Sequence, residues 1–298
     1  MARESAPSSA AQSAEIREKK GIQSVEVGVR VVDALASAAG SLPLRDIGRL
    51  AGISASQAHR YLTSFQKSGL VVQDPATGHY GLGTLALRWG VAAMRQTDLF
   101  TLSSQALDRV CERFDATGLL CVWGEYGPTC VRLKRSTFLI GTDLGLGSVF
   151  PLLSSASGYA FLAFLPREIT EPLVRQERER ARKRGEKPVS MSELKQMCDE
   201  TRRLGYTLVR GHYVKNLSAL AAPILDYQGN VCSMITLIFR DEPGEVVPPN
   251  VLAMIDALVE ETRAVSRSVG WLDPDEAAGQ PVAQASRRKT ARVVKAPA

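Results

Sequence analysis

The stretch LRDIGRLAGISASQAHRYLTSFQKSGLVVQDPATGHYGLG, Leu44 to Gly83, constrains this chain more than any other. Leu44, Ile47, Leu50 and Ala51 recur at helical spacing and stop at Gly52. Ala58, Leu62 and Phe65 repeat that period and stop at Gly69, where a helix usually ends. Ser54 precedes the second run as an N-cap, with Gln57 three places on as its reciprocal capping-box partner. About four residues separate the two helices, with Gly52 at the turn and Ile53 available to plug the space beneath it. A short apolar run, an Asp-Pro-x-x-Gly turn and a second run holding Tyr80 and Leu82 then read as a β-hairpin. Upstream, Val25, Val29, Val32 and Leu35 mark one more helix, ended by Gly40. Helix, helix, tight turn, helix and hairpin make a winged helix-turn-helix. A plain three-helix scaffold requires neither the turn nor the hairpin.

The 298 residues are 45% hydrophobic, enough for about two domains with proper cores. A net charge of +6 is compatible with a nucleic-acid partner without demanding one. Five scattered cysteines, Cys111, Cys121, Cys130, Cys198 and Cys232, form no C-x-x-C pair, so neither a zinc site nor a disulfide framework is expected. The N-terminal MARESAPSSAAQSAEIREKK has no apolar signal core and no run is long enough to span a bilayer, which predicts a cytoplasmic protein with no membrane partner. Residues 1–20 read as a disordered tail. Residues 271–298 read as another, whose cluster Arg287, Arg288, Lys289, Arg292 and Lys295 could brush phosphates or serve no specific purpose.

Residues 21–83 hold the winged helix-turn-helix and 84–98 a linker helix. The linker helix and the next one, around Leu99–Phe114, carry apolar residues on several faces, which predicts packing against another subunit. Past Thr117, short strand-like segments alternate with helical patterns at Ala156–Leu165, Met191–Leu204 and Pro249–Val269. Residues 99–270 are therefore an α+β domain, an antiparallel sheet flanked by helices. Arg175–Lys187 reads as an exposed helix laced with local ion pairs.

Catalytic signatures are missing. GTDLGLG, Gly141 to Gly147, fits neither a phosphate-binding loop nor a dinucleotide fingerprint, and its glycines suit turns. Ser154, Ser155 and Ser157 lack a nucleophile elbow, and the chain has only three histidines. No enzyme activity, cofactor or metal is expected.

GIQSVEVGVRVVDAL together with the Leu44–Gly83 stretch resembles the N-terminal part of the IclR family of bacterial transcriptional regulators. GTDLGLGSVFPLLSSASGYAFLA, LGYTLV and LSALAAPILDYQGNVCSMITL resemble its C-terminal part in the same order, Ala221 to Gly229 most tellingly. The resemblance spans Gly21 to about Gly270. It implies a GAF-like effector domain, a homodimer or dimer of dimers, and a short palindromic operator in double-stranded DNA.

A recognition helix turns its N-terminal part toward base edges in the major groove. Ser56, Gln57, Arg60 and Ser64 share one face. Arg60 could pair with guanine O6 and N7, and Gln57 with adenine N6 and N7. Ser54 and Ser56 suit phosphate or base contacts at the positive helix end. Tyr61 suits either a phosphate contact or core packing. Arg45, Gln23 and Ser24 are placed to hold the DNA backbone. His79 in the wing either meets sugar and phosphate or stays idle, and His59 packs inward or faces solvent.

In the resembled family the effector sits over the sheet, walled by the loop and helix start after the third strand. Motif matching carries this to Leu144, Leu146, Ser154, Ser155, Ala156 and Ser157, with Ala219, on the strand before Ala-Ala-Pro, and Thr236 and Ile238 on the last strand. Free amides near Ser154–Gly158 and the serine hydroxyls would suit a carboxylate, although an ordinary helix cap is the alternative. Many family members carry acids before the Ala-Ala-Pro strand. Here RGHYVKN, Arg210 to Asn216, has none, which points to an anionic effector met by Arg210 or His212. The expected function is operator binding modulated by an organic or aromatic carboxylic acid. The alternative is a ligand-independent architectural protein whose C-terminal domain only oligomerises.

Overall fold

The computed structural model describes residues 21–38, 40–137, 144–210, 217–240 and 247–273. Both tails with the C-terminal basic cluster, Gly141–Asp143 of the glycine-rich stretch, and His212 with most of RGHYVKN lie outside them. The chain divides into two compact units, Met1–Arg95 and Gln96–Ala298.

In the first unit α1 (Gln23–Ala36), α2 (Leu44–Ala51) and α3 (Ala55–Ser68) enclose a core of Val31, Leu35, Ile47, Ala51, Leu62, Val71 and Tyr80. The expected stripe on α1 is out of phase. Val25 and Val29 are 59% and 61% exposed, while Val27, Gly28, Val31, Ala34 and Leu35 face inward. Valines on two faces leave the period ambiguous, and Gly28 breaks the tie: a Cβ there would stand 3.1 Å from Phe65 Cζ, so α3 can press its aromatic pair onto that face. Leu50 is likewise exposed, because Gly48 is the α2 residue that turns toward the tight turn, with Ile53 O 3.0 Å from where its Cβ would be.

Gly52 ends α2 at φ +67, a left-handed conformation that an L side chain resists. Ile53 packs against the core, and the Ser54 side chain accepts from Gln57 N, capping α3. Only the Ser54 half of the expected capping box forms, and the Gln57 side chain stays exposed. The hairpin is β1 (Val71–Gln73) against β2 (Tyr80–Leu82), antiparallel, with Leu42 bridging to Tyr80 on the other side. Next comes α4 (Thr84–Gln96), with Leu87, Trp89 and Val91 exposed.

The second unit is built on a five-stranded antiparallel sheet of order β4-β3-β7-β6-β5. Its strands are β3 (Thr117–Gly124), β4 (Gly127–Lys134), β5 (Thr207–Arg210), β6 (Leu217–Leu225) and β7 (Val231–Arg240). Alternation sends Leu120, Leu208, Leu220, Ile235 and Leu237 to one face, under α5 (Leu99–Phe114) and α9 (Pro249–Ser268). Leu119, Cys121, Val209, Ala221 and Met234 point to the other, under α6 (Ala156–Phe164), α7 (Arg167–Lys183) and α8 (Met191–Leu204). The result is helices, sheet and helices in three layers around two cores.

α5 packs one face on its own sheet through Ala106, Leu107, Val110 and Cys111. Gly118 of β3 allows this, since a Cβ there would collide with Leu107 and the Cys111 thiol. The arginine-rich run is mostly exposed and carries local ion pairs as expected, Arg175 with Glu171 and Arg184 with Glu186. α7 starts upstream of that run, buries Thr170 and Val174 there, and turns Glu177 part-way inward. Burial pushes the Cys111 thiol up to about 12 and also raises Cys121, Cys130 and Cys198, which act as apolar packing groups. No described helix is long and apolar enough to cross a membrane.

Candidate nucleic-acid interface and effector cavity

On α3 the buried Ala58 and Leu62 define one side, and Ser54, Ser56, Gln57, Arg60 and Ser64 are exposed on the other. The first turn carries no acidic residue, so the helix's positive end meets no competing carboxylate. Arg60 has no hydrogen bond or ion pair to its side chain among the described residues, and neither does Gln57. Ser64 donates back to Arg60 O at 3.1 Å, which spends its only donor inside the helix. The Tyr61 ring packs half-buried, 6.3 Å from the Phe65 ring and in contact range of Gly28. His59 faces solvent.

Arg45, on the first turn of α2, is exposed, as are Gln23 and Ser24 at the start of α1. The wing tip is a self-contained loop. Asp74 accepts from Ala76 N and the Thr77 hydroxyl, bonds that hold its carboxyl below the usual range. His79 is half-buried beside it. Sequence reading passed over Arg30, whose Nε donates to Ala51 O at 3.1 Å and ties α1 to the end of α2.

In the second unit, one cavity of about 50 Å³ lies between the sheet and the start of α6. It collects Leu144, Ser154, Ser155, Ala156, Ser157, Ala219, Thr236 and Ile238. Leu119, Phe150, Val209, Leu217 and Ser218 also line it and were missed, although Val209, paired with Ala219, and Leu217, two residues before it, follow from strand alternation once β5 and β6 are paired. Leu146 does not belong to it and is 72% exposed, on a turn that Gly147 closes with φ +80. Arg210, at the end of β5, does not line it either. The wall before α6 follows β4, and the single bridge Thr129↔Val149 stands where a third strand was expected. Ala219 shares β6 with Ala221, Ala222 and Pro223, as the strand-like segment LSALAAPILD predicts.

The cavity's polar groups are few and mutually satisfied. Ser157 Oγ lies 2.8 Å from Thr236 Oγ1. Ser155 caps α6 by accepting from Gly158 N at 2.9 Å and donates to Pro151 O at 2.6 Å. The N–H groups of Ala156 and Ser157 have no acceptor among the described residues. No charged side chain lines the cavity among the described residues. Behind its wall, Glu177 of α7 accepts from Leu152 N and Leu153 N. Burial holds its carboxyl above the usual carboxylate range, and those two donors with Arg180 and Arg184 offset only part of that rise.

Comparison with known proteins places this geometry. Residues 24–75 match the IclR helix-turn-helix domain, and residues 91–246 match the bacterial transcriptional regulator IclR C-terminal domain. The transcriptional repressor IclR of Escherichia coli is 27% identical over 207 residues, covering 69% of this chain and 75% of that protein. The transcriptional repressor AllR of Klebsiella pneumoniae is 26% identical over 263 residues, covering 85% and 92%. The crystal structure of HmgR from Pseudomonas aeruginosa superposes with a TM-score of 0.69 at 30% identity, over 84% of this chain and 99% of that one.

Proposed function

Because the chain belongs to the IclR family of bacterial transcriptional regulators and is thus a DNA-binding regulator, we propose that a small organic acid modulates its operator binding. The observation that carries the DNA half is the edge of α3, where Gln57 and Arg60 stand exposed on a helix anchored by Ala58 and Leu62. In this reading Arg60 pairs with a guanine edge and Gln57 with an adenine. Ser54, Ser56, Arg45, Gln23, Ser24 and the wing residue His79 hold phosphates and set the register. The operator is palindromic, read by a cytoplasmic homodimer or dimer of dimers.

Arg60→Ala is expected to weaken operator binding by about 1–3 kcal/mol, roughly 5–150-fold, and to relax base preference at one position. Fluorescence anisotropy against the operator and single-base variants at fixed salt measures both. An affinity within twofold of the parent would remove Arg60 from the reading.

The effector half rests on the cavity, whose apolar lining and hydroxyl pair suit a compact, mostly apolar molecule with one polar group. The Ala156 and Ser157 amides at the α6 N-terminus favour a carboxylate as that group. Binding shifts the balance between two arrangements of the recognition helices through the Leu85–Phe114 segment, by no more than the ligand's differential affinity for them. A thermal-shift screen of short-chain and aromatic acids is expected to give stabilisation that rises with acid concentration. A flat response across the series would favour the ligand-independent architectural reading.

A further inference from the structure

One wall of the cavity is the segment Phe150–Ser155, of which Phe150, Ser154 and Ser155 line it, and both ends of the segment are pinned. Phe150 N donates to Pro128 O at 2.8 Å, and Ser155 is bound into the first turn of α6. Between those pins, the Tyr159 hydroxyl donates to Leu153 O, again from α6. The tie to a different helix is Glu177. One carboxylate oxygen accepts from Leu152 N at 2.6 Å and the other from Leu153 N at 3.0 Å. A carboxylate spanning two consecutive N–H groups fixes a peptide more firmly than neutral bonds do.

The space on the two sides of this wall is unequal. Inside lies the cavity of about 50 Å³. Outside, toward α7, lies an open groove of about 830 Å³, lined by Leu173, Glu177, Arg180 and Val189 among others. Phe150 and Ser154 line both. The wall therefore has room to move outward, and pockets for sizeable ligands are several-fold larger than the inner cavity, about 300–1,000 Å³.

We propose that Glu177 is a positioning residue that limits the size of the effector on this side of the cavity: its carboxylate holds the Phe150–Ser155 wall inward, and a ligand that needs the space beyond this wall must break its two bonds. This rests on the cavity being the effector site. The specificity device then sits outside the lining, on the far side of the wall that it restrains.

The test compares the full chain with Glu177→Gln and Glu177→Ala. Amide exchange is read at Leu152 and Leu153 without ligand, and calorimetric affinities are read for acetate and benzoate. Exchange at these two amides is expected to accelerate about tenfold or more in Glu177→Ala, with β6 and β7 unchanged. Benzoate is expected to bind about tenfold more tightly while acetate changes by less than about twofold, because only the larger acid has to open the wall. Glu177→Gln, which keeps one acceptor oxygen, falls between and carries the test if the alanine variant does not fold. An unchanged benzoate-to-acetate affinity ratio overturns the proposal even where exchange accelerates. Should neither acid bind any variant, the effector reading fails, and unchanged exchange at Leu152 and Leu153 would overturn the latch as well.

Discussion

Leu62→Ala is expected to abolish operator binding by unfolding the first unit while the second stays folded. Leu62 is fully buried on α3 and belongs to a cluster of seven buried residues. Truncating a buried leucine costs about 2–5 kcal/mol, the lost transfer energy plus the cavity left behind. A domain of this size buries a smaller fraction of its surface than a large one, so its total stability is of the same order. The helix gains little in return, because leucine is already nearly as good a helix former as alanine. The second unit has its own cores on the two faces of its sheet, made of residues distinct from this cluster. Calorimetry is therefore expected to lose or shift by tens of degrees only the transition of the first unit, with operator binding lost in parallel. A variant that melts like the parent and binds its operator normally would show that Leu62 is not a keystone. Arg60→Ala differs in kind, since an exposed side chain can weaken binding without moving any melting transition.

The turn between α2 and α3 was legible because it depends on backbone rules. Gly52 must take positive φ and Ser54 must cap, and both signals are local in sequence. The wing was legible for the same reason, through Asp74 and Gly78. The stripe of α1 was not, because Val25, Val27, Val29 and Val31 offer two apolar faces. Only the contact of Gly28 with Phe65, distant in sequence, selects between them. The same limit applies in the second unit. Eight residues transferred by motif line one cavity because their order along the chain fixes their strands and the helix start. Leu146 fell outside because one glycine turn, at Gly147, directs it to solvent. Glu177 was hidden inside the run RQERERARKRGEK, where composition suggests a wet surface. Only pairing with Leu152 and Leu153 distinguishes it from its neighbours.

Gly158→Ala is the other substitution with a large expected effect, and opposing terms decide its sign. Alanine is the better helix former, worth about 1 kcal/mol inside a helix such as α6. Against that, a Cβ at position 158 would overlap the Pro151 carbonyl oxygen and approach Cα and O of Leu152 within 2.6 Å. These are backbone atoms, so no change of rotamer relieves the contact. The wall is also held against retreat by Glu177 on Leu152 N and Leu153 N, by Ser155 Oγ on Pro151 O, and by Tyr159 on Leu153 O. Overpacking a closed site costs about 1–3 kcal/mol and more where backbone must shift, so the clash outweighs the helix gain. The variant is expected to unfold at lower urea concentration, because the backbone that must yield is held by those bonds. Gly145→Ala provides the control on the same connection: nothing lies within 4 Å of its added Cβ, and its stability is expected to stay within about 0.5 kcal/mol of the parent. Equal urea midpoints for the two variants would mean that the wall moves freely, and the tight approach of α6 to Pro151 and Leu152 would then not be what shapes the cavity.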